Sequence, residues 1–336
     1  MFSAVVGHEK VKNVLTVSKN ENRVGHAYIF EGPQGVGRQT MAKEFGKLLL
    51  CENPGQGEPC GVCKSCSMCE TGNHPDLQVI TNQLYDASKK STDVLVDTVR
   101  SMKKDIFIKP FASERKIYIV PNADTMNVYA QNSLLKVLEE PPEYCTIILL
   151  AENANMFLPT ILSRTVTLKF FPLHRNDVET YLGRMYPQLG ESVVAIASMS
   201  EGCIGKAKKL IEADNVTQIR DGVFDCVTNL ADKGNKNIYD MALFIKQNKD
   251  NIRLVMDIMQ GLFRDLMFLK QTESYDGIIN ADKLSKLEKI RDKIRYDSPV
   301  KMLEILLKYN EYFSRNISHA QIAQCMSLEL WEVMHD

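Results

Sequence analysis

Through the first half of the chain, short apolar runs alternate with longer segments of helical period, and that rhythm constrains the fold more than any other feature. The runs are Ala27 to Phe30, Leu77 to Ile80, Ile117 to Val120, Thr146 to Leu150 and Val166 to Phe170. Strands that alternate with helices predict a parallel sheet with helices on both faces, ending near residue 171. Between the runs, Met41, Phe45, Leu48 and Leu49 share one helical face, as do Met126, Ala130, Leu134, Val137 and Leu138. Pro141-Pro142 ends the second of these helices.

After Pro172 the strand signals fade. Residues 173–213 read as a short helical region broken at Ser200-Glu201-Gly202, too small for a core of its own and expected to pack as a lid. From 214 to 336 the pattern is helical throughout, with one stripe of Leu254, Ile258 and Leu262 and another of Val255, Met259, Phe263 and Met267. Pro299 is the only proline in that stretch. The expected organisation is therefore 1–171, 172–213 and 214–336, and 336 residues at 44% hydrophobic content suffice for several cores. The N-terminus lacks the pattern of a signal peptide, and no run approaches the roughly 20 apolar residues of a membrane span, so a cytoplasmic protein is expected. With a net charge of −1, any contact with DNA has to come from a local patch. Lys103, Lys104 and Lys109 are the candidates, against the plainer reading of a solvated helix face.

The first strand is followed by Gly32-Pro33-Gln34-Gly35-Val36-Gly37-Arg38-Gln39, which has the spacing of a phosphate-binding loop without its ending. In the working motif, glycine amides cradle phosphate at a helix N-terminus, lysine reaches the outer phosphates and Ser or Thr holds magnesium. Arg38 keeps the charge but is long and planar, and Gln39 has no hydroxyl for a metal. The amides and the helix dipole survive, so anion binding at the loop stays open. A second loss follows the strand ending at Val120. Where a working ATPase carries two acidic residues, this chain reads Pro121-Asn122-Ala123-Asp124. Asn122 cannot act as a base, and Asp124 comes three residues late and reads as the cap of the next helix. Phosphoryl transfer needs positioned positive charge and a metal, so two losses in one site predict a fold that does not hydrolyse ATP. The competing reading is a working ATPase with Arg38 in place of lysine.

Five of the nine cysteines, Cys51, Cys60, Cys63, Cys66 and Cys69, fall in one short segment. Without a secretion signal, clustered thiols point to metal rather than disulfides. Chemistry alone lets Cys69 substitute for one of the other four, and His74 is a further candidate ligand. Cys145, Cys203, Cys226 and Cys325 read as core or partly buried thiols.

Several of these features recur together: His26-Ala27-Tyr28, the loop Gly32 to Gly37, the cysteine group, His74-Pro75-Asp76, Leu138-Glu139-Glu140-Pro141-Pro142 and Leu162-Ser163-Arg164. In that order they resemble the AAA+ clamp-loader subunits of bacterial DNA polymerase III, and among them the delta-prime branch. The block Asn316 to Glu329 resembles the last collar helices of such subunits, less specifically. The resemblance implies an AAA+ module, a helical lid and a helical collar within a five-subunit ring. The implied partners are the gamma/tau ATPase subunits and delta, and indirectly the sliding clamp and primer-template DNA. It also implies that Arg164, positioned by Ser163, acts in trans as an arginine finger on a neighbour's ATP. Thr165 departs from the family's Ser-Arg-Cys. Without the resemblance, Arg164 reads as a surface or salt-bridging arginine. Where active relatives carry a sensor arginine beyond a Gly-Ser pair, this chain has Gly202-Cys203-Ile204-Gly205. The adjacent Lys206 would point about 100° away on a helix. The resemblance further selects Cys51, Cys60, Cys63 and Cys66 as a structural Zn2+ site in an insertion at about 51–69. A zinc-dependent nucleic-acid binder acting alone is the third reading.

Overall fold

The structure is a computed structural model that describes residues 2–335 apart from 56, 86–92, 191, 213–215, 273, 274, 276 and 314–317. The expected boundary at 213–214 and Asn316 of the collar block lie outside the described residues. The strands are β1 (Ala27–Glu31), β2 (Leu77–Val79), β3 (Lys116–Val120), β4 (Cys145–Ala151) and β5 (Val166–Lys169), within one or two residues of the apolar runs. They form one parallel sheet in the order β2-β3-β4-β1-β5. Helices α1 (Glu9–Asn20), α2 (Arg38–Leu50), α3 (Lys64–Glu70), α4 (Asn82–Tyr85), α5 (Val96–Ile106), α6 (Val128–Glu139) and α7 (Pro159–Leu162) belong to the same unit.

The two-residue period of the strands sorts their side chains into two cores. Tyr28, Phe30, Ile117, Ile119, Ile148 and Leu150 pack with Met41, Phe45 and Leu48 of α2. Ala27, Ile29, Tyr118, Val120, Ile147 and Leu149 face Val99 and Met102 of α5 and Leu134 and Val137 of α6. Burial on both faces explains why the runs of β1, β3 and β4 are apolar at nearly every position, whereas the edge strands β2 and β5 are only partly buried. Met126 is buried as expected but precedes the helix, which starts at Val128 and ends at Glu139, before the proline pair.

The chain divides into two compact units, Met1–Val178 with Gly202–Lys206, and Glu179–Glu201 with Ala207–Asp336. Helices α8 (Arg175–Met185), α9 (Ser192–Met199) and α10 (Ile204–Glu212) cover the short helical region. Its break falls at Glu201 and Gly202, both at positive φ. The second unit continues with α11 (Val216–Leu230), α12 (Asn235–Gln247), α13 (Ile252–Gln271), α14 (Leu284–Arg291), α15 (Ser298–Phe313) and α16 (His319–His335). Its core joins Val255, Met259 and Phe263 of α13 to Phe224, Met302 and Met326. Polar groups pin it as well. Arg220 donates to both carboxylate oxygens of Asp282 at 2.7 Å and to Asn280 at 2.9 Å. Fully buried Asp265 accepts from the amides of Ile279 and Asn280 and from the Asn280 side chain. Cys145 and Cys203 are buried and Cys226 is half-buried, but Cys325 is exposed. It lies off the stripe of Ile322, Met326, Leu330 and Met334 that α16 turns inward.

Candidate functional site

The glycine loop leaves the C-terminal end of β1, where the strand order reverses, which is where open α/β sheets bind ligands. Gly37 sits at the N-terminus of α2 and Arg38 is its first residue. Arg38 is buried, and burial works against its charge, while the carboxylates of Glu152 and Asp124 act to keep it. Asp124 is not the helix cap the sequence suggests. Asn127 caps α6 by accepting from the Ala130 amide at 2.9 Å, because Asp124 lies one turn too early in a 3-10 segment. Asp124 instead accepts from the amides of Glu152 (2.7 Å) and Asn153 (3.3 Å), tying the end of β3 to the end of β4. Gln39 is exposed.

Two backbone contacts enclose the loop. Gly205 donates its amide to the Gly35 carbonyl at 2.8 Å, and a Cβ on Gly35, at φ +81°, would lie 2.9 Å from the Lys206 nitrogen. Only glycine allows that approach. On another side His8 bonds the Val36 carbonyl through Nε2 at 2.9 Å, its ring tilted against Phe170 at 4.9 Å. Burial lowers the His8 pKa more than the Val36 bond raises it, so the ring is neutral at pH 7 and Nε2–H donates. Sequence reasoning passed over His8 and Glu152. Gly7 before the first helix and the end of the fourth apolar run were the only hints of them.

The four selected cysteines come together. Sγ atoms of Cys51, Cys60, Cys63 and Cys66 all lie within 4.8 Å of one another, with Cys51–Cys63 at 4.0 Å and Cys60–Cys66 at 3.9 Å. A tetrahedron with Zn–S bonds of about 2.3 Å has edges of about 3.8 Å, so the donor set fits a closed four-sulfur metal site. Local structure aims the sulfurs. Cys51 ends α2, Cys63 is the N-cap of α3, and amides of Cys60, Cys63 and Cys66 donate to Cys51, Cys60 and Cys63 respectively. Amides of Val62 and Cys63 hold the Cys60 thiol down at about 6, while burial raises those of Cys51 and Cys66. Cys69 stands outside the four, its thiol pushed up to about 12 by burial.

The excursion is anchored at three points. Gly57, at φ +83°, packs so closely on α1 that a Cβ would fall 2.4 Å from Thr16 Cγ2. Lys47 pairs with Glu70. Ser65 Oγ meets His74 Nε2 at 2.8 Å, so His74 lies against the excursion through a hydroxyl and is not among the four clustered donors. His74 Nδ1 accepts from the Asp76 amide at 3.1 Å, which leaves the proton on Nε2, directed at Ser65. The ring therefore cannot take a proton from that hydroxyl, and Ser65, His74 and Asp76 do not form a catalytic triad. The Asp76 carboxylate accepts from the amides of Phe111, Ala112 and Ser113 at 2.7, 2.7 and 2.9 Å.

Arg164 follows α7 at the surface, and it does bridge an acid: its Nη2 lies 3.2 Å from Glu139 Oε1. Nη1 donates to the Thr160 carbonyl at 2.9 Å and to Ser163 Oγ at 3.3 Å. Gln131 fixes the approach to α7 by donating to the Met156 carbonyl and accepting from the Leu158 amide, and it also donates to the Met126 carbonyl ahead of α6. Thr165 uses its hydroxyl on the Ile161 carbonyl at 3.0 Å, a backbone role that needs no cysteine. Lys103 and Lys104 lie in the last turn of α5, where positive charge complements the helix dipole.

Residues 7–174 match the family model described as DNA polymerase III, delta subunit. The chain belongs to that family. This half of the chain holds the whole parallel sheet, the glycine loop, the cysteine cluster and Arg164. It is 26% identical to the DNA polymerase III subunit delta' of Bacillus subtilis over 326 residues, 96% of each chain. It is 27% identical to the subunit tau of the same organism, over 92% of this chain and 58% of that one. With the tau/gamma subunit of Haemophilus influenzae it shares 28% identity over 77% of this chain and 37% of that one. The chain thus spans about half the length of the tau-type relatives. Among the described residues no helix is long and apolar enough to cross a membrane.

Proposed function

We propose that this chain is a clamp-loader subunit that does not hydrolyse ATP and lends Arg164 to the nucleotide site of a neighbouring subunit. The observation that carries the reading is the state of the glycine loop. The position of the lysine holds a buried arginine whose charge burial disfavours, Gln39 offers no hydroxyl for magnesium, and the backbone at Gly205 bonds Gly35. Transfer of a phosphoryl group requires a positioned cation and metal to take up charge on the transferred oxygens. A buried, planar guanidinium in place of the lysine is poorly disposed to provide it. Arg164 stands apart from this enclosed loop, half-exposed just after a short helix whose approach Gln131 fixes, as a group acting across a subunit boundary should.

In this reading the partners are gamma/tau ATPase subunits and delta in a five-membered ring, acting on the sliding clamp and primer-template DNA in the cytoplasm. Residues 1–171 form the AAA+ core, 172–213 the lid and 214–336 the collar. The four cysteines would hold one Zn2+ that has no open position for water, so its contribution is to the folding of the excursion. The test is steady-state ATP turnover by a reconstituted loader with clamp and primed DNA. Arg164→Ala should lower turnover about 10-fold or more, roughly 1.4 kcal/mol of barrier. Unchanged turnover in an intact complex would sink the trans-finger reading.

A further inference from the structure

The ion pair between Arg164 and Glu139 is poorly explained as a stabilising contact. Both side chains are well exposed, at 36% and 50%, and such pairs contribute little to folding. Glu139 is moreover the last residue of α6, where the unpaired carbonyls present the negative end of the helix dipole and an acid is disfavoured. A carboxylate held at an unfavourable end of a helix, stopped there by Pro141-Pro142, needs a reason beyond helix stability.

The reason lies in what the contact does to the arginine. A free arginine side chain samples many rotamers and must be ordered when it engages a ligand. Here two hydrogen bonds and one ion pair hold it: Nη1 donates to the Thr160 carbonyl and to Ser163 Oγ, and Glu139 Oε1 lies 3.2 Å from Nη2. A guanidinium has five N–H donors. Both Nη1 hydrogens are donated and the Glu139 carboxylate faces Nη2 as an ion pair, which leaves the Nε–H and an Nη2–H with no partner among the described residues. Those two can address one anionic oxygen or two oxygens of one phosphate. The elements that carry the contact are tied together, since Gln131 of α6 bonds the segment leading into α7 from both sides.

We infer that Glu139 is a positioning residue for Arg164, orienting its guanidinium toward the phosphate oxygens of a nucleoside triphosphate bound by the neighbouring subunit. This rests on the trans-finger reading above. Glu139 touches no nucleotide in this account; it acts only through the arginine. Its loss therefore removes preorganisation for the transition state and leaves ground-state nucleotide binding by the neighbour unaltered.

The test is a double-mutant cycle in the reconstituted loader, with Glu139→Ala, Arg164→Ala and the pair, reading kcat and KM for ATP separately. Glu139→Ala should lower kcat about 3- to 10-fold at unchanged KM, with Glu139→Gln in between because its amide oxygen keeps a dipole toward the guanidinium but not the charge. The double variant should be no slower than Arg164→Ala alone. A merely structural role would move the thermal midpoint of the chain and add to the Arg164→Ala effect. If Arg164→Ala slows turnover while Glu139→Ala matches wild type, or if the effects multiply, the positioning role is wrong and the finger stands. If Glu139→Ala raises turnover, the carboxylate is a restraint and the inference is overturned. If Arg164→Ala has no effect in an assembled loader, both readings fall together.

Discussion

Asp76 should be among the most sensitive single positions in the first unit. Its carboxylate is fully buried and accepts three backbone amides, from Phe111, Ala112 and Ser113, while its own amide holds His74 and its carbonyl accepts from Ile117. Asp76→Ala keeps the backbone bonds and strands the three amides. At about 1–3 kcal/mol for each unpaired buried donor, the loss would be about 3–9 kcal/mol. Water lowers that figure, because Phe111 is 90% exposed and Ala112 is exposed too, so part of the turn can be solvated. An expected destabilisation of about 2–4 kcal/mol remains. Asp76→Asn, with one acceptor oxygen, should lose about half as much. Denaturant unfolding of the full chain at equal metal content gives the magnitude, and amide exchange at 111–113 gives the location. A loss under about 0.5 kcal/mol with unchanged exchange at those amides would refute the reasoning.

Metal analysis of the purified chain should find one zinc per chain, lost in Cys63→Ser, and chelation should accelerate amide exchange across 51–76 before it affects α11 to α16. In the second unit, burial raises the Asp282 pKa but the Arg220 hydrogen bonds outweigh it, so the folded value lies below the ordinary carboxylate range. A depressed pKa adds stability that is complete above the unfolded value, about pH 4, and is lost as pH falls through the folded one. The acid limb of the stability profile should therefore flatten in Asp282→Asn. Gly35→Ala places a methyl at φ +81° against the Lys206 nitrogen and should cost about 1–3 kcal/mol in thermal or denaturant unfolding, and an unchanged midpoint would show that the loop does not hold this conformation.

The sheet was legible because its central strands β1, β3 and β4 are buried on both faces and so wrote nearly unbroken apolar runs into the chain, while the edge strands β2 and β5 left weaker ones with polar residues among them. The cysteine cluster was legible as a group, but spacing left Cys69 an equal candidate, and only the resemblance singled out the four whose sulfurs meet. Asp124 was misread because its caps lie across the sheet edge, at amides of Glu152 and Asn153 that no local pattern links to it. His8 and Glu139 went unassigned for the same reason. Each acts on a partner brought near only by the fold, 28 residues away for His8 and Val36, and 25 positions on from Glu139 at Arg164. Cys325 shows the limit of composition: a small apolar residue on a helix is buried only if it falls on the inward stripe.

The central claim is that the glycine loop of this chain no longer supports hydrolysis, and magnesium-dependent ATP turnover by the purified full-length chain tests it most directly. The account predicts phosphate release indistinguishable from a blank without protein, unaltered by Arg38→Ala. Steady magnesium-dependent turnover that Arg38→Ala abolishes would mean that the loop is a working nucleotide site, and would contradict it.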